Sequence, residues 1–206
     1  MELRGPLAQE EMDRLGTLAR RPGVVCISEV GLDYLPGMPD RAWQEEAFRL
    51  QIRLARRVGK PIVFHNREAG LEALRILREE GAEAAGAVAH YFQGPREYAW
   101  ACLDQGIYLS LAKPLLRLPE LQELVRTLPL DRIVLETDAY PQSFKRNRGR
   151  WTEPKDTALV AQRLAELKGF PLETVVRATF ETSMTLLGRP RRETRPGVPV
   201  PLAPNL

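Results

Sequence analysis

Four apolar, β-branched runs in this chain each lead into a residue able to hold a metal ion or move a proton, and that coincidence narrows the fold more than any other feature. Val24-Val25-Cys26-Ile27-Ser28 follows the Pro22-Gly23 turn signal and runs into Glu29, with Gly31 and Asp33 just beyond. Pro61-Ile62-Val63-Phe64 runs into His65, and Gly86-Ala87-Val88-Ala89 runs into His90. Arg132-Ile133-Val134-Leu135 leads through Glu136 and Thr137 to Asp138. His65 and His90 are the only 2 histidines in the chain. A parallel α/β sheet gathers its site residues at the C-terminal ends of its strands. Glu29, His65, His90 and Asp138 are therefore expected to converge.

Between these runs the period changes from two to helical. Ala8–Arg20 places Met12, Leu15 and Leu18 on one helical face and delivers the chain to a strand at 24–29. Asp40 is an N-cap for a helix over 41–58, with Trp43, Ala47, Leu50, Ile52 and Leu54 apolar and Gly59 as its stop. A strand at 61–64, a helix over 69–80, a strand at 87–90 and a helix over 96–104 follow. Then come a strand at 107–110, a helix over 120–127 and a strand at 132–136. This alternation predicts βαβ units and a parallel sheet. A polar loop over 140–154 and helices over 155–168 and 172–187 complete a domain spanning 1–188. The proline-rich tail, 189–206, lacks periodicity.

A chain of 206 residues with 44% hydrophobic content is enough for one domain with a substantial core. A net charge of +3, with charges of both signs interspersed, permits an anionic substrate without demanding one. Cys26 and Cys102 are read as reduced core residues, since two cysteines at long spacing make neither a disulfide framework nor a zinc knuckle. No apolar run is long enough for a membrane span and no signal-peptide pattern is present, so a soluble, cytoplasmic protein is expected.

Two imidazoles and two carboxylates form a ligand set for a divalent ion, with magnesium, manganese and zinc all admitted. Such an ion activates water and polarises a phosphoryl or carbonyl oxygen. Arg67, two residues beyond His65, suits bidentate contact with phosphate, and Lys113 occupies a comparable place beyond the fourth strand. Lys145, Arg146, Arg148 and Arg150 make the 140–154 loop cationic, and Trp151 beside them offers a stacking surface for a base. For each cation the plainer reading is a solvated or ion-paired surface residue.

Several of these residues lie in an ordered series of motifs. Ser28-Glu29-Val30-Gly31-Leu32-Asp33-Tyr34 is followed by Trp43-Gln44, Phe48 and Gln51, then by Phe64-His65-Asn66-Arg67-Glu68-Ala69. His90-Tyr91-Phe92-Gln93-Gly94, Leu135-Glu136-Thr137-Asp138-Ala139 and Glu153-Pro154 complete it. The series, from about residue 20 to 188, resembles that of the TatD family of metal-dependent deoxyribonucleases. The resemblance implies a (β/α)8 TIM barrel, a divalent-metal site at its C-terminal face and 3′-5′ hydrolysis of DNA phosphodiesters. By position it implies that Glu29 bridges metal ions, that His65 and His90 ligate one of them, and that Asp138 contacts the other and handles the nucleophilic water. Arg67 matches a position near the scissile phosphate.

The family's opening strand carries a His-x-His pair, which this sequence does not contain. Its five strands match family strands four to eight, so the expected fold is a TatD-like TIM barrel truncated to those strands, with an open edge. Such an edge invites a homo-oligomer or a partner chain that completes the barrel. Ser28 replaces a usual Gly, and Tyr91 and Gln93 replace the Cys and Ser of a His-Cys-Phe-Ser-Gly stretch. The expected activity is a DNA exonuclease acting on single strands or 3′ ends, with magnesium as the foremost ion and catalysis weakened by the missing ligands. A non-catalytic TatD-like binding subunit is the second reading, and an amidohydrolase acting on a small cyclic amide is the third.

Overall fold

A computed structural model describes residues 5–139 and 152–188 of the chain. Five strands, β1 (Ile27–Asp33), β2 (Ile62–Arg67), β3 (Ala87–Ala89), β4 (Tyr108–Leu111) and β5 (Ile133–Leu135), form one sheet in that order. Every neighbouring pair is parallel. The first helix, α1 (Gln9–Ala19), precedes the sheet, and α2 (Arg41–Val58), α3 (Glu72–Glu79), α4 (Arg96–Asp104) and α5 (Pro119–Thr127) each make one crossover. The chain closes with α6 (Thr157–Lys168) and α7 (Leu172–Leu186). This is the α/β class expected, with one open sheet whose outer strands β1 and β5 are each paired on a single side among the described residues.

The helix boundaries follow from local chemistry. Asp40 caps α2 by accepting from the backbone N–H of Ala42 and Trp43 at 2.9 and 3.3 Å, and Gly59 ends that helix in the left-handed conformation. Burial then selects the apolar faces. Phe48 and Ile52 of α2 and Leu74 and Leu77 of α3 pack with Leu32, Ile62, Phe64, Leu109, Leu111 and Ile133 of the strands in one continuous core. The rings of Phe48 and Phe64 stand 6.2 Å apart at its centre. Met12, Ala19 and Leu54 form a smaller cluster that seats α1 on α2. Along α7 the buried Val175 and Thr179 alternate with exposed Leu172, Val176 and Phe180, leaving an apolar stripe at a spacing of four uncovered.

Four expectations need correction. The first strand begins at Ile27 rather than Val24 and runs on to Asp33, so Glu29 lies inside it rather than at its exit. Its pairing with β2 explains why: the register is irregular between Ile27 and Val30, which leaves Ser28 and Glu29 out of the ladder and exposed. Likewise β2 continues through His65 to Arg67, because Gly31 to Asp33 pair with His65 to Arg67. Cys26 is only half-buried, since it precedes the paired part of β1, whereas Cys102 is fully buried. Burial pushes the Cys102 thiol up to about 12, in keeping with an inert reduced core residue. Finally, Trp43 is partly exposed rather than part of the core face of α2.

Candidate metal centre

The loops at the C-terminal ends of β2, β3 and β5 are shaped by residues that rarely adopt the backbone they have here. Glu68, Tyr91 and Asp138 have φ of 56°, 47° and 50°, and they are the non-glycine residues with positive φ among the described residues. All three line one cavity of about 710 Å³, which also takes in Glu29, His65, Arg67 and His90. Strained conformations of this kind cluster where surrounding contacts hold functional side chains in place.

Those contacts can be traced bond by bond. The His90 backbone N–H donates to the Phe64 carbonyl at 2.9 Å, and the Phe92 N–H donates to the Ser110 carbonyl at 2.9 Å. The chain between them therefore turns within one residue, Tyr91, whose N–H donates to Glu136 Oε1. Glu136 is itself fixed, because its backbone N–H donates to the Leu111 carbonyl at 3.0 Å. Its other carboxylate oxygen takes the Nδ1–H of His90 at 2.7 Å. A carboxylate on Nδ1 sets the imidazole orientation and turns Nε2 toward the cavity.

Two further carboxylates meet Nε2 there. Glu29 Oε1 lies 3.2 Å away and Asp138 Oδ1 lies 3.9 Å away. Burial alone would lower the His90 pKa, but the hydrogen bond it donates to Glu136 and the charges of Glu136, Glu29 and Asp138 together raise it above the ordinary imidazole value. Where carboxylates converge on one nitrogen, a cation between them relieves their repulsion, and either a proton or a metal ion meets that need. One ligand atom each from Glu29, His90 and Asp138 lies within 4.8 Å of the others, the group among the described residues with metal-holding geometry. An imidazole with two carboxylates is a donor set that fits magnesium, manganese or zinc.

The fourth expected ligand stands apart from that group. His65 lines the same cavity, but its Nε2 faces Asp33 Oδ2 at 3.4 Å. Arg67 reaches the same oxygen at 3.4 Å and leaves its side chain half-exposed. Asp33 is aimed from behind by the buried Gln44 of α2, which accepts from the Asp33 N–H at 2.7 Å and donates to the Asp33 carbonyl at 2.8 Å. Lys113 is ion-paired, its Nζ lying 2.6 Å from Asp156 Oδ2. Lys145, Arg146, Arg148, Arg150, Trp151 and the tail from 189 to 206 lie outside the described residues.

Glu136 and Asp33 were not singled out from the sequence, although both belong to the motifs quoted above. Their spacing from Asp138 and Glu29 was visible, but their partners were not: Glu136 and His90 are separated by 46 positions and meet only because β3 and β5 flank β4.

Known proteins resemble this chain in sequence and fold. A family model for TatD related DNases matches residues 4–188. A metal-dependent hydrolase of Bacillus subtilis, YabD, is 37% identical over 185 residues, covering 87% of this chain and 71% of that protein. The 3′-5′ ssDNA/RNA exonuclease TatD of Citrobacter koseri is 33% identical over 187 residues, covering 87% of this chain and 72% of that one. Among solved structures, the TatD homologue YJJV of Escherichia coli K12 superposes with a TM-score of 0.79 at 26% identity, over 89% of this chain and 72% of that one. The open five-stranded sheet thus corresponds to part of a TatD-like TIM barrel, and the chain belongs to the TatD related DNase family of metal-dependent hydrolases.

Proposed function

We propose that this chain is a metal-dependent phosphodiesterase that removes nucleotides from DNA, acting 3′ to 5′ on single strands or 3′ ends. The convergence of Glu29, His90 and Asp138 on one point, with Glu136 behind His90, carries this reading. Magnesium is the foremost ion, with manganese or zinc as alternatives from the same donors. When bound, the ion supplies Lewis acidity toward a phosphoryl oxygen. Glu29, His90 and Asp138 would hold it, with His65 of the same cavity as a fourth donor. Asp138 orients the attacking water and takes its proton, and Arg67, exchanging Asp33 for the substrate, steadies the phosphate.

Glu136 acts through His90. Glu136→Gln is expected to weaken ion binding by about 10–100-fold, the usual effect of losing the outer partner of a ligating histidine. The pH dependence carries the same signature. Because the His90 pKa is raised, protons compete with the ion at a higher pH than for an ordinary imidazole, and removing the Glu136 charge moves that midpoint down. Calorimetric titration across pH 5 to 8 reads both effects, and an unchanged affinity and midpoint would sink the assigned role.

The test of the function itself is digestion of single-stranded DNA by purified chain with magnesium, with chelator, and after magnesium is restored. Cleavage that stops and returns supports the reading. Folded, ion-loaded protein that leaves DNA intact overturns it and favours the second reading, a binding subunit without catalysis. That alternative has its own support in the open sheet edges and the apolar stripe on α7, which suit a second copy or partner chain that completes the barrel.

A further inference from the structure

Arg67 lines the cavity already engaged by a carboxylate, and the way that carboxylate is held bears on how the cavity handles an anion. Asp33 and Arg67 are register partners on β1 and β2, and His65 lies two residues back on the same face of β2, opposite Gly31. Asp33 Oδ2 is 3.4 Å from both His65 Nε2 and Arg67 Nη1, so a single oxygen serves two partners. The other oxygen, Oδ1, accepts from the Leu35 N–H at 3.2 Å.

The backbone beneath this carboxylate is fixed. Gln44, which brackets the Asp33 N–H and carbonyl, also donates to the Pro39 carbonyl at 2.8 Å and is 5% exposed. The Tyr34 N–H donates to the Arg67 carbonyl at 2.9 Å. The contact with the Arg67 side chain is loose by comparison. Its 3.4 Å exceeds the roughly 2.7–2.9 Å of a strong N–H···O bond between charged groups, and it is single rather than forked. The Arg67 side chain is also 53% exposed. A pair of this kind contributes little, whereas a phosphate offers the guanidinium two oxygens at once. When Arg67 turns away, His65 still faces the carboxylate, whose side chain is 20% exposed, so no unpaired charge is left buried.

We propose that Asp33 is a positioning residue that acts through Arg67. It occupies the guanidinium until a phosphate arrives and takes it back as the phosphate departs, which keeps product binding weak. The inference rests on the phosphodiesterase reading, with Arg67 as the phosphate contact. It carries a sign that damage to the structure would not produce, because removing the carboxylate tightens phosphate binding.

The test measures binding rather than turnover. Inorganic phosphate is titrated calorimetrically, in magnesium, into the full chain, Asp33→Asn, Arg67→Ala and the double variant, with circular dichroism to check each fold. Asp33→Asn is expected to bind phosphate about two- to fivefold more tightly, the change that matches loss of a competing half-exposed ion pair. Arg67→Ala is expected to bind it about tenfold more weakly. On the Arg67→Ala background the gain from Asp33→Asn should disappear, since the two residues act as a unit. Weaker binding in Asp33→Asn, an equal gain with and without Arg67, or an intact chain that binds no phosphate overturns the role. Asp33→Ala is measured in parallel and should shift the same way; if neither Asp33 variant folds, Asp33 is structural and the proposal falls. Because hydrolysis is not read, tighter phosphate binding in Asp33→Asn of a chain that cleaves no DNA upholds the role while the proposed reaction fails. A chain that cleaves DNA but binds phosphate more weakly in Asp33→Asn loses this inference alone.

Discussion

His90→Ala is expected to abolish measurable divalent-ion binding and to lower DNA hydrolysis by more than about 100-fold, the upper end of what loss of an outer partner alone costs. His90 is the joint of the centre, with Nδ1 on Glu136 and Nε2 facing Glu29 and Asp138. Its removal leaves three carboxylates around an empty space, with no neutral donor among them. Ion content measured on the purified variant, together with digestion of single-stranded DNA, checks the result. A variant that retains the ion at full affinity would show that the centre lies elsewhere.

The same substitution has a consequence in metal-free protein. The folded pKa of His90 is raised, so the stability it contributes is fully present below the unfolded imidazole pKa and is lost as pH rises through the folded value. The stability gap between the intact chain and His90→Ala should therefore be widest near pH 5 and narrow toward pH 8. Denaturant unfolding in the presence of chelator reads this directly.

Gly31→Ala is expected to destabilise the fold by about 4 kcal/mol or to prevent folding, at the severe end for single substitutions. Gly31 has φ of +123°, and an added Cβ would lie 2.1 Å from the His65 carbonyl oxygen. That oxygen belongs to the backbone of the paired strand, since Gly31 and His65 are partners in the β1–β2 register, so no side-chain rotation relieves the overlap. The strands must separate just where Glu29 and His65 enter the cavity, and ion binding should fall with stability. Gly37→Ala makes the control. Its φ of +87° is also unfavourable, but nothing lies within 4 Å of an added Cβ, so the cost there should stay near 1 kcal/mol. Equilibrium unfolding of both variants distinguishes backbone overlap from conformational preference, and similar losses in the two would refute the account given for Gly31.

Much of this was legible in the residues alone. The alternation of short apolar runs with helical periods predicted five strands in βαβ units and a parallel sheet, because period and turn signals are local properties of the chain. Asp40 and Gly59 marked the ends of α2 for the same reason. Glu29, His90 and Asp138 stood out as donors at strand ends, and the structure gathers those three. Local pattern failed where a neighbouring strand decided the outcome. Val24 and Val25 have strand propensity but no partner beside them, while Gly31 to Asp33 are drawn into β1 by β2.

The sequence by itself therefore determined the class of fold, the order of its elements and the donors available to an ion. Tertiary structure alone decided that Glu136 holds His90, that Gln44 holds Asp33 while Asp33 engages His65 and Arg67, and that Lys113 pairs with Asp156. The physical reason is range. Propensity and capping act within a few residues of one another, whereas each of these pairings joins residues brought together by strand register and helix packing, which no local pattern encodes.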